Sequence, residues 1–234
     1  MKDNYRFDTF IEAPSNIFAL KACIGAADEP GELFNPIWVN GPSGCGKTHL
    51  LKALCASAAD KGKEAVYMTS EDAGQALIAL LHDASFPWSR IEDAELLVID
   101  NIDFFLGKET TQQAFAELIE MKYRKGDQVA IASELRPSRF PQLSSLFKDI
   151  ESAVDAELLF PDKELRRAVI DEYLKANPFP ITERAIKALA EYEFSISQLK
   201  GMLCKARFLN CHNGDCINYK WIKQKTTCLK EYRR

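Results

Sequence analysis

The sequence predicts an α/β fold: a five-stranded parallel sheet with helices on both faces, followed by a small all-helical lid. Three observations carry this. Short apolar, β-rich runs alternate with helix-length stretches through the first two thirds of the chain, the pattern of βαβ crossovers. One of those runs, Ala94–Asp100 (AELLVID), is almost continuously aliphatic, as a strand covered on both faces must be. After Phe160 the strand-like runs stop and only helical patterns remain, so the predicted domains are 1–160 and 161–234.

Taken in order, Ile37–Asn40 (IWVN) is the first strand and runs into a glycine-rich loop. HLLKALCASAAD follows, with Leu50, Leu51, Leu54 and Cys55 at helical spacing. Glu64–Ser70 (EAVYMTS) is the second strand, and DAGQALIALLHD reads as a helix after it. Ala94–Asp100 is the third strand, and TTQQAFAELIEMKYRKG a helix that Gly126 stops. Gln128–Ser133 is the fourth strand and Ala156–Phe160 (AELLF) the fifth. Pro161 and Asp162 then open a helix, KELRRAVIDEYLKA, that Asn177-Pro178 ends. Thr182–Tyr192 and Ser197–Leu209 are two more helices, Asn213-Gly214 is a turn, and a basic helix or tail runs to Arg234.

Composition narrows the class. At 234 residues, 47% hydrophobic and 27% charged, the chain can bury a real core. The formal net charge of -4 gives no whole-molecule attraction to nucleic acid. No apolar run approaches the ~20 residues of a membrane span, and MKDNYRFDTF is too polar for a secretory leader. Seven cysteines without framework spacing suit a reducing cytoplasm.

The chemistry is concentrated in GPSGCGKT, residues Gly41, Pro42, Ser43, Gly44, Cys45, Gly46, Lys47 and Thr48. It fits G-x-x-x-x-G-K-[ST] between a strand and a helix, the context that motif requires. The glycines allow a loop whose backbone N–H groups face phosphate oxygens, and the helix N-terminus adds positive potential. Lys47 supplies a cation for the β- and γ-phosphates, and Thr48 a hydroxyl for Mg²⁺. The implied ligand is ATP or ADP. Asp100, at the carboxyl end of the third strand, is the second candidate metal holder. Asp100 and Asn101 are the candidate catalytic positions. Asn101 can orient water but cannot take its proton. Asp103 reads as the cap of the next helix.

With these residues placed, the sequence resembles the DnaA-like AAA+ family, and in particular its short members. Tyr5–Asn16 (YRFDTFIEAPSN), NPIWVNGPSGCGKTHLLKAL, EAVYMTSED and ELLVIDNIDFFLGKETTQQAF follow the family pattern in order and spacing. The resemblance implies an AAA+ P-loop sheet and a helical lid with the nucleotide between them. It also implies that Tyr5–Asn16 lies against the adenine, with Phe10 and Ile11 as contacts. Departures cluster on hydrolysis. Asn101 stands where such ATPases carry a second carboxylate. The arginine finger should fall near Lys148-Asp149, where there is no arginine; Arg139 lies upstream. Ser197 stands where the lid arginine should be. The family's insertion for single-stranded DNA corresponds to Glu71–Asp93, here acidic (Glu71, Asp72, Asp83, Glu92, Asp93) against Arg90 and His82. The chain stops at Arg234, where the lid should end, and no DNA-reading domain is expected after it.

The resemblance therefore implies a protein of the initiation or regulation of DNA replication. It would act through nucleotide-dependent contacts with DnaA or another AAA+ replication protein, with slow or no hydrolysis. The alternatives are an active ATPase that loads the replicative helicase and a stand-alone DNA-binding initiator. Weaker signals are weighed against plainer readings. QLSSLF (Gln142–Phe147) has a trace of a sliding-clamp peptide, but a helix with a buried Leu/Phe face is the simpler account. CHNGDC, with Cys204 and Cys228, lacks zinc-site spacing. Lys220, Lys223, Lys225, Lys230, Arg233 and Arg234, with Trp221 and Tyr232, make a basic C-terminus. DNA contact there is weighed against a solvated helix face. His49 reads as a packing residue.

Overall fold

A computed structural model describes residues 5–81, 88–213 and 216–231. Among these the chain forms a five-stranded, all-parallel sheet and ten α-helices. Contacts divide it into two compact units, Met1–Leu159 and Phe160–Arg234.

In the first unit, β1 (Ile37–Asn40), β2 (Ala65–Thr69), β3 (Leu96–Asp100), β4 (Gln128–Ser133) and β5 (Val154–Glu157) lie in the order β2-β3-β4-β1-β5. The three central strands are wholly buried, which is why β3 reads as an unbroken aliphatic run. Side chains of each strand alternate between two cores. Ile37, Val39, Leu96, Val98, Ala130 and Ala132 pack with α1 (Ile17–Asp28) and α2 (Lys47–Asp60) on one face. Trp38, Leu97, Ile99, Val129 and Ile131 pack on the other, with α3 (Ser70–Leu81), α4 (Trp88–Asp93), α5 (Glu109–Lys125) and α6 (Pro141–Asp149).

Several elements differ from the prediction. α4 was not predicted, and α1 has no counterpart among the predicted elements either. Its buried side is mostly Ala19, Ala22, Cys23, Ala26 and Ala27, small residues that allow close packing but give little periodic contrast. The fifth strand is Val154–Glu157, not Ala156–Phe160: β1 pairs Asn40 with Glu157 and sets that register. Leu159 and Phe160 lie beyond it and are exposed. The second strand is Ala65–Thr69 rather than Glu64–Ser70, and it gives up Ser70 because Thr69 caps α3 directly. Its hydroxyl accepts from the Asp72 N–H at 3.2 Å and donates to the Asp72 carboxylate at 2.8 Å.

The second unit holds α7 (Lys163–Ala176), α8 (Glu183–Glu191), α9 (Ile196–Asn213) and α10 (Tyr219–Glu231). Asp162 caps α7 through the Leu165 N–H at 2.7 Å, and Thr182 caps α8. Ser195 and Gln198 form a reciprocal capping box, so α9 starts at Ile196, one residue ahead of the prediction. The Gly214 half of the predicted turn lies outside the described residues.

Candidate nucleotide site

Parallel strands deliver their carboxyl ends to one edge, and the order β3-β4-β1 puts the ends of β3 and β1 on either side of β4. The loop after β1 needs its glycines. Gly41 has φ 145°, and a Cβ there would collide with the Leu158 carbonyl. Gly46 has φ 116°, and its Cβ would come within 2.9 Å of the Phe10 ring. Both positions are therefore closed to other residues.

Lys47 is buried, and its Nζ donates to the carbonyls of Gly41 at 2.6 Å and Pro42 at 3.1 Å. Burial lowers its pKa, and the nearby carboxylates of Glu134, Asp103 and Asp100 work the other way. Thr48 Oγ1 donates to Asp100 Oδ2 at 2.7 Å, so the two halves of the site are already joined across β1 and β3. These are hard oxygen donors, one of them anionic, and such a pair suits Mg²⁺. The neighbouring Cys45 thiol is buried and pushed up in pKa, mainly by desolvation, so it adds no soft anionic ligand.

Phe10 lies at the loop, edge-on to His49 with ring centroids 5.2 Å apart. His49 Nε2 also meets the Arg6 carbonyl at 2.9 Å, and the Tyr5 ring at 5.4 Å between centroids. The packing role predicted for His49 is thus specific: it ties the N-terminal segment to the first turn of α2. The Ile11 carbonyl accepts from Asn16 Nδ2 at 2.9 Å, fixing the bend that leads into α1.

Asn101 is exposed and left-handed, with φ 63° and ψ 49°. Asp103 does not cap the next helix. Its carboxylate accepts from Ser133 Oγ and from the Glu134 N–H, each at 2.8 Å, and so pins the end of β4 beside β3. Lys108, not Asp103, stands at the N-cap of α5. Ser133, Glu134 and Tyr67 had no place in the predicted site. Glu134 and Tyr67 enter it by neighbourhood: Glu134 through its charge on Lys47, and Tyr67 through a 2.6 Å bond from its hydroxyl to Asp100 Oδ2. A polar pair at the carboxyl end of the buried strand β4 was the available signal for the first two; nothing local marks Tyr67.

The remaining candidates lie elsewhere. Lys148 and Asp149 are exposed at the end of α6, and Arg139 is exposed ahead of it. QLSSLF is helical, with Leu143 buried and Leu146 and Phe147 packed on the core. Ser197 is exposed in the first turn of α9. Of the predicted acidic insertion, Glu71, Asp72, Arg90, Glu92 and Asp93 are described and exposed, while His82 and Asp83 lie outside the described residues. Met1–Asn4, Tyr232, Arg233, Arg234 and the side chains of Cys211, Cys228 and Lys230 also lie outside them.

A glycine loop between a buried strand and a helix, joined to a strand-end aspartate on a β2-β3-β4-β1-β5 sheet, defines a P-loop domain of the AAA+ class. The chain belongs to the bacterial DnaA ATPase domain family, whose model matches residues 1–156. It is 32% identical over 209 residues to the chromosomal replication initiator protein DnaA of Thermomicrobium roseum, covering 87% of this chain and 45% of that one. With DnaA of Roseiflexus castenholzii the identity is 31%, covering 87% and 44%. The chain thus spans just under half the length of these relatives. Domain III of the Thermotoga maritima initiator superimposes with a TM-score of 0.83 over 95% of both chains at 24% identity, which speaks for the fold. AMPPCP-bound DnaA from Aquifex aeolicus gives 0.77 at 26% identity, covering 88% of this chain and 65% of that one. A DnaA bound to AMPPCP and single-stranded DNA gives 0.80 at 25%, covering 96% and 69%.

Proposed function

We propose that this chain binds ATP or ADP with Mg²⁺ and works in the initiation of DNA replication or its regulation. It would do so through nucleotide-dependent contacts with DnaA or another AAA+ replication protein, with slow or no hydrolysis. The observation that carries this is the joined Thr48–Asp100 pair beside Lys47, next to an amide at position 101. Thr48 and Asp100 would hold the metal, which supplies charge neutralisation for the phosphates. Lys47 would exchange its two carbonyl partners for phosphate oxygens. Phe10, fixed against Gly46 and His49, would bound the adenine side.

Slow turnover is supported by chemistry. Asn101 accepts no proton, and near Lys148 and Asp149, where the family resemblance puts a finger whose arginine is worth ~10³–10⁵ in rate elsewhere, the sequence has no arginine. The test is titration of the purified chain with fluorescent ATP and ADP analogues, paired with phosphate release. Nucleotide binding with turnover well below about 1 per second is expected. Turnover above that rate overturns the slow-hydrolysis part, and absence of binding overturns the whole. Retention of DnaA from source-cell extract with ATP but not with ADP would support the partner assignment.

A further inference from the structure

Tyr67 has no part in the P-loop motif, yet its hydroxyl reaches the carboxylate the motif depends on. It sits on β2 opposite Val98, two residues before Asp100 on β3. Paired residues of adjacent strands, and alternate residues of one strand, share a face, so the tyrosine ring lies along the sheet toward Asp100. Its hydroxyl donates to Asp100 Oδ2 at 2.6 Å, and Thr48 Oγ1 donates to the same oxygen at 2.7 Å. Among the described residues Asp100 Oδ1 receives no hydrogen bond. Two donors converge on one oxygen of a buried carboxylate: one from the first turn of α2, one from the edge strand β2.

The ring is held from above as well. Lys52, one turn after Thr48 on α2, places Nζ 5.3 Å from the Tyr67 ring centroid and 4.7 Å from that of Tyr5. Tyr67 also packs against the core beneath α2. The hydroxyl is thereby held against Asp100, whose Oδ2 takes both donors.

We infer that Tyr67 is a positioning residue for the metal-holding carboxylate, setting how much Mg²⁺ strengthens nucleotide binding. This rests on the nucleotide-binding reading above. Without the tyrosine donor, Asp100 keeps only the Thr48 bond, which must itself adjust when the Thr48 oxygen turns to a metal. A hydrogen bond to a charged group is worth enough that its loss costs about tenfold.

The experiment measures ADP affinity of the whole chain with Mg²⁺ and with EDTA, for the parent and for Tyr67→Phe, Asp100→Asn and the double variant. Thermal melts run alongside. Expected is a Mg²⁺ enhancement in the parent that falls about tenfold in Tyr67→Phe, with EDTA affinity little changed and a melt that stays cooperative, lowered by no more than the one lost hydrogen bond. In the Asp100→Asn background, Tyr67→Phe should add nothing further, because the shared acceptor has lost its charge. An unchanged enhancement in Tyr67→Phe overturns the inference. So does an equal loss with and without Mg²⁺, which marks a packing role. A parent that binds ADP without any Mg²⁺ enhancement removes the metal, and one that binds no ADP at all removes the nucleotide reading beneath it.

Discussion

Asn101 has two reasons to be an asparagine, and they separate experimentally. As chemistry, the amide leaves the site without a proton acceptor next to Asp100. As conformation, it holds φ 63° and ψ 49°, a left-handed backbone that asparagine tolerates better than other residues with a Cβ. The side chain is exposed and makes no capping hydrogen bond, so its loss removes little packing. Asn101→Gly should therefore melt near the parent, while Asn101→Ala should lose about 1 kcal/mol in chemical denaturation. Equal stability of the two would discount the conformational reason. The P-loop itself was legible because its eight residues are contiguous and flanked by an apolar strand and a helix. Tyr67, Ser133 and Glu134 were not, because they become neighbours of Asp100 and Lys47 only through the order of the strands.

Among the elements, α5 shows how one helix end fastens the sheet. Lys122 is fully buried, and its ammonium donates to the Glu92 carbonyl at 3.1 Å and to the Ala94 carbonyl just before β3. It pairs with Asp127 at 2.6 Å, one residue before β4. One cation thus joins α5 to the start of β3 and of β4, upstream of Asp100 and Ser133. Removing it leaves the buried Asp127 carboxylate with only the half-exposed Lys125 at 3.7 Å, which is close to the costly way of breaking such a pair. Lys122→Met should lose about 3–5 kcal/mol by urea denaturation, and Lys122→Met with Asp127→Asn should recover part of that. A single variant as stable as the parent would show that the pair does not hold the helix end. In the sequence this lysine was indistinguishable from the exposed charges of KYRK around it. β5 was predicted too late in the chain for a related reason: Val-Asp-Ala-Glu looks like a loop. Its charges are acceptable because Asp155 accepts from Asn40 and both carboxylates meet Arg136. The helices of the second unit were legible because each starts at a local cap or follows a proline.

At the scale of the whole molecule, charge favours the protein-partner reading over a stand-alone DNA-binding initiator. The net charge is -4, and Glu71, Asp72, Glu92 and Asp93 are exposed with Arg90 as the one cation of that described stretch. Phosphate binding needs the opposite sign, since affinity for nucleic acid comes mainly from cations that displace counterions. The opposing feature is α10, which exposes Lys220, Lys223 and Lys225. The three described lysines of this helix give a salt-sensitive contact of the non-specific kind, with Kd of about 10⁻⁴–10⁻⁶ M near physiological salt and at the weak end for so few cations. A labelled oligothymidylate should therefore show no binding to the ATP-loaded chain at tens of micromolar protein. Lowering the salt should bring up only a weak signal that Lys220→Glu with Lys223→Glu abolishes. Low-micromolar affinity at physiological salt, surviving that double variant, would place the DNA contact on another surface and favour an initiator that acts on DNA directly.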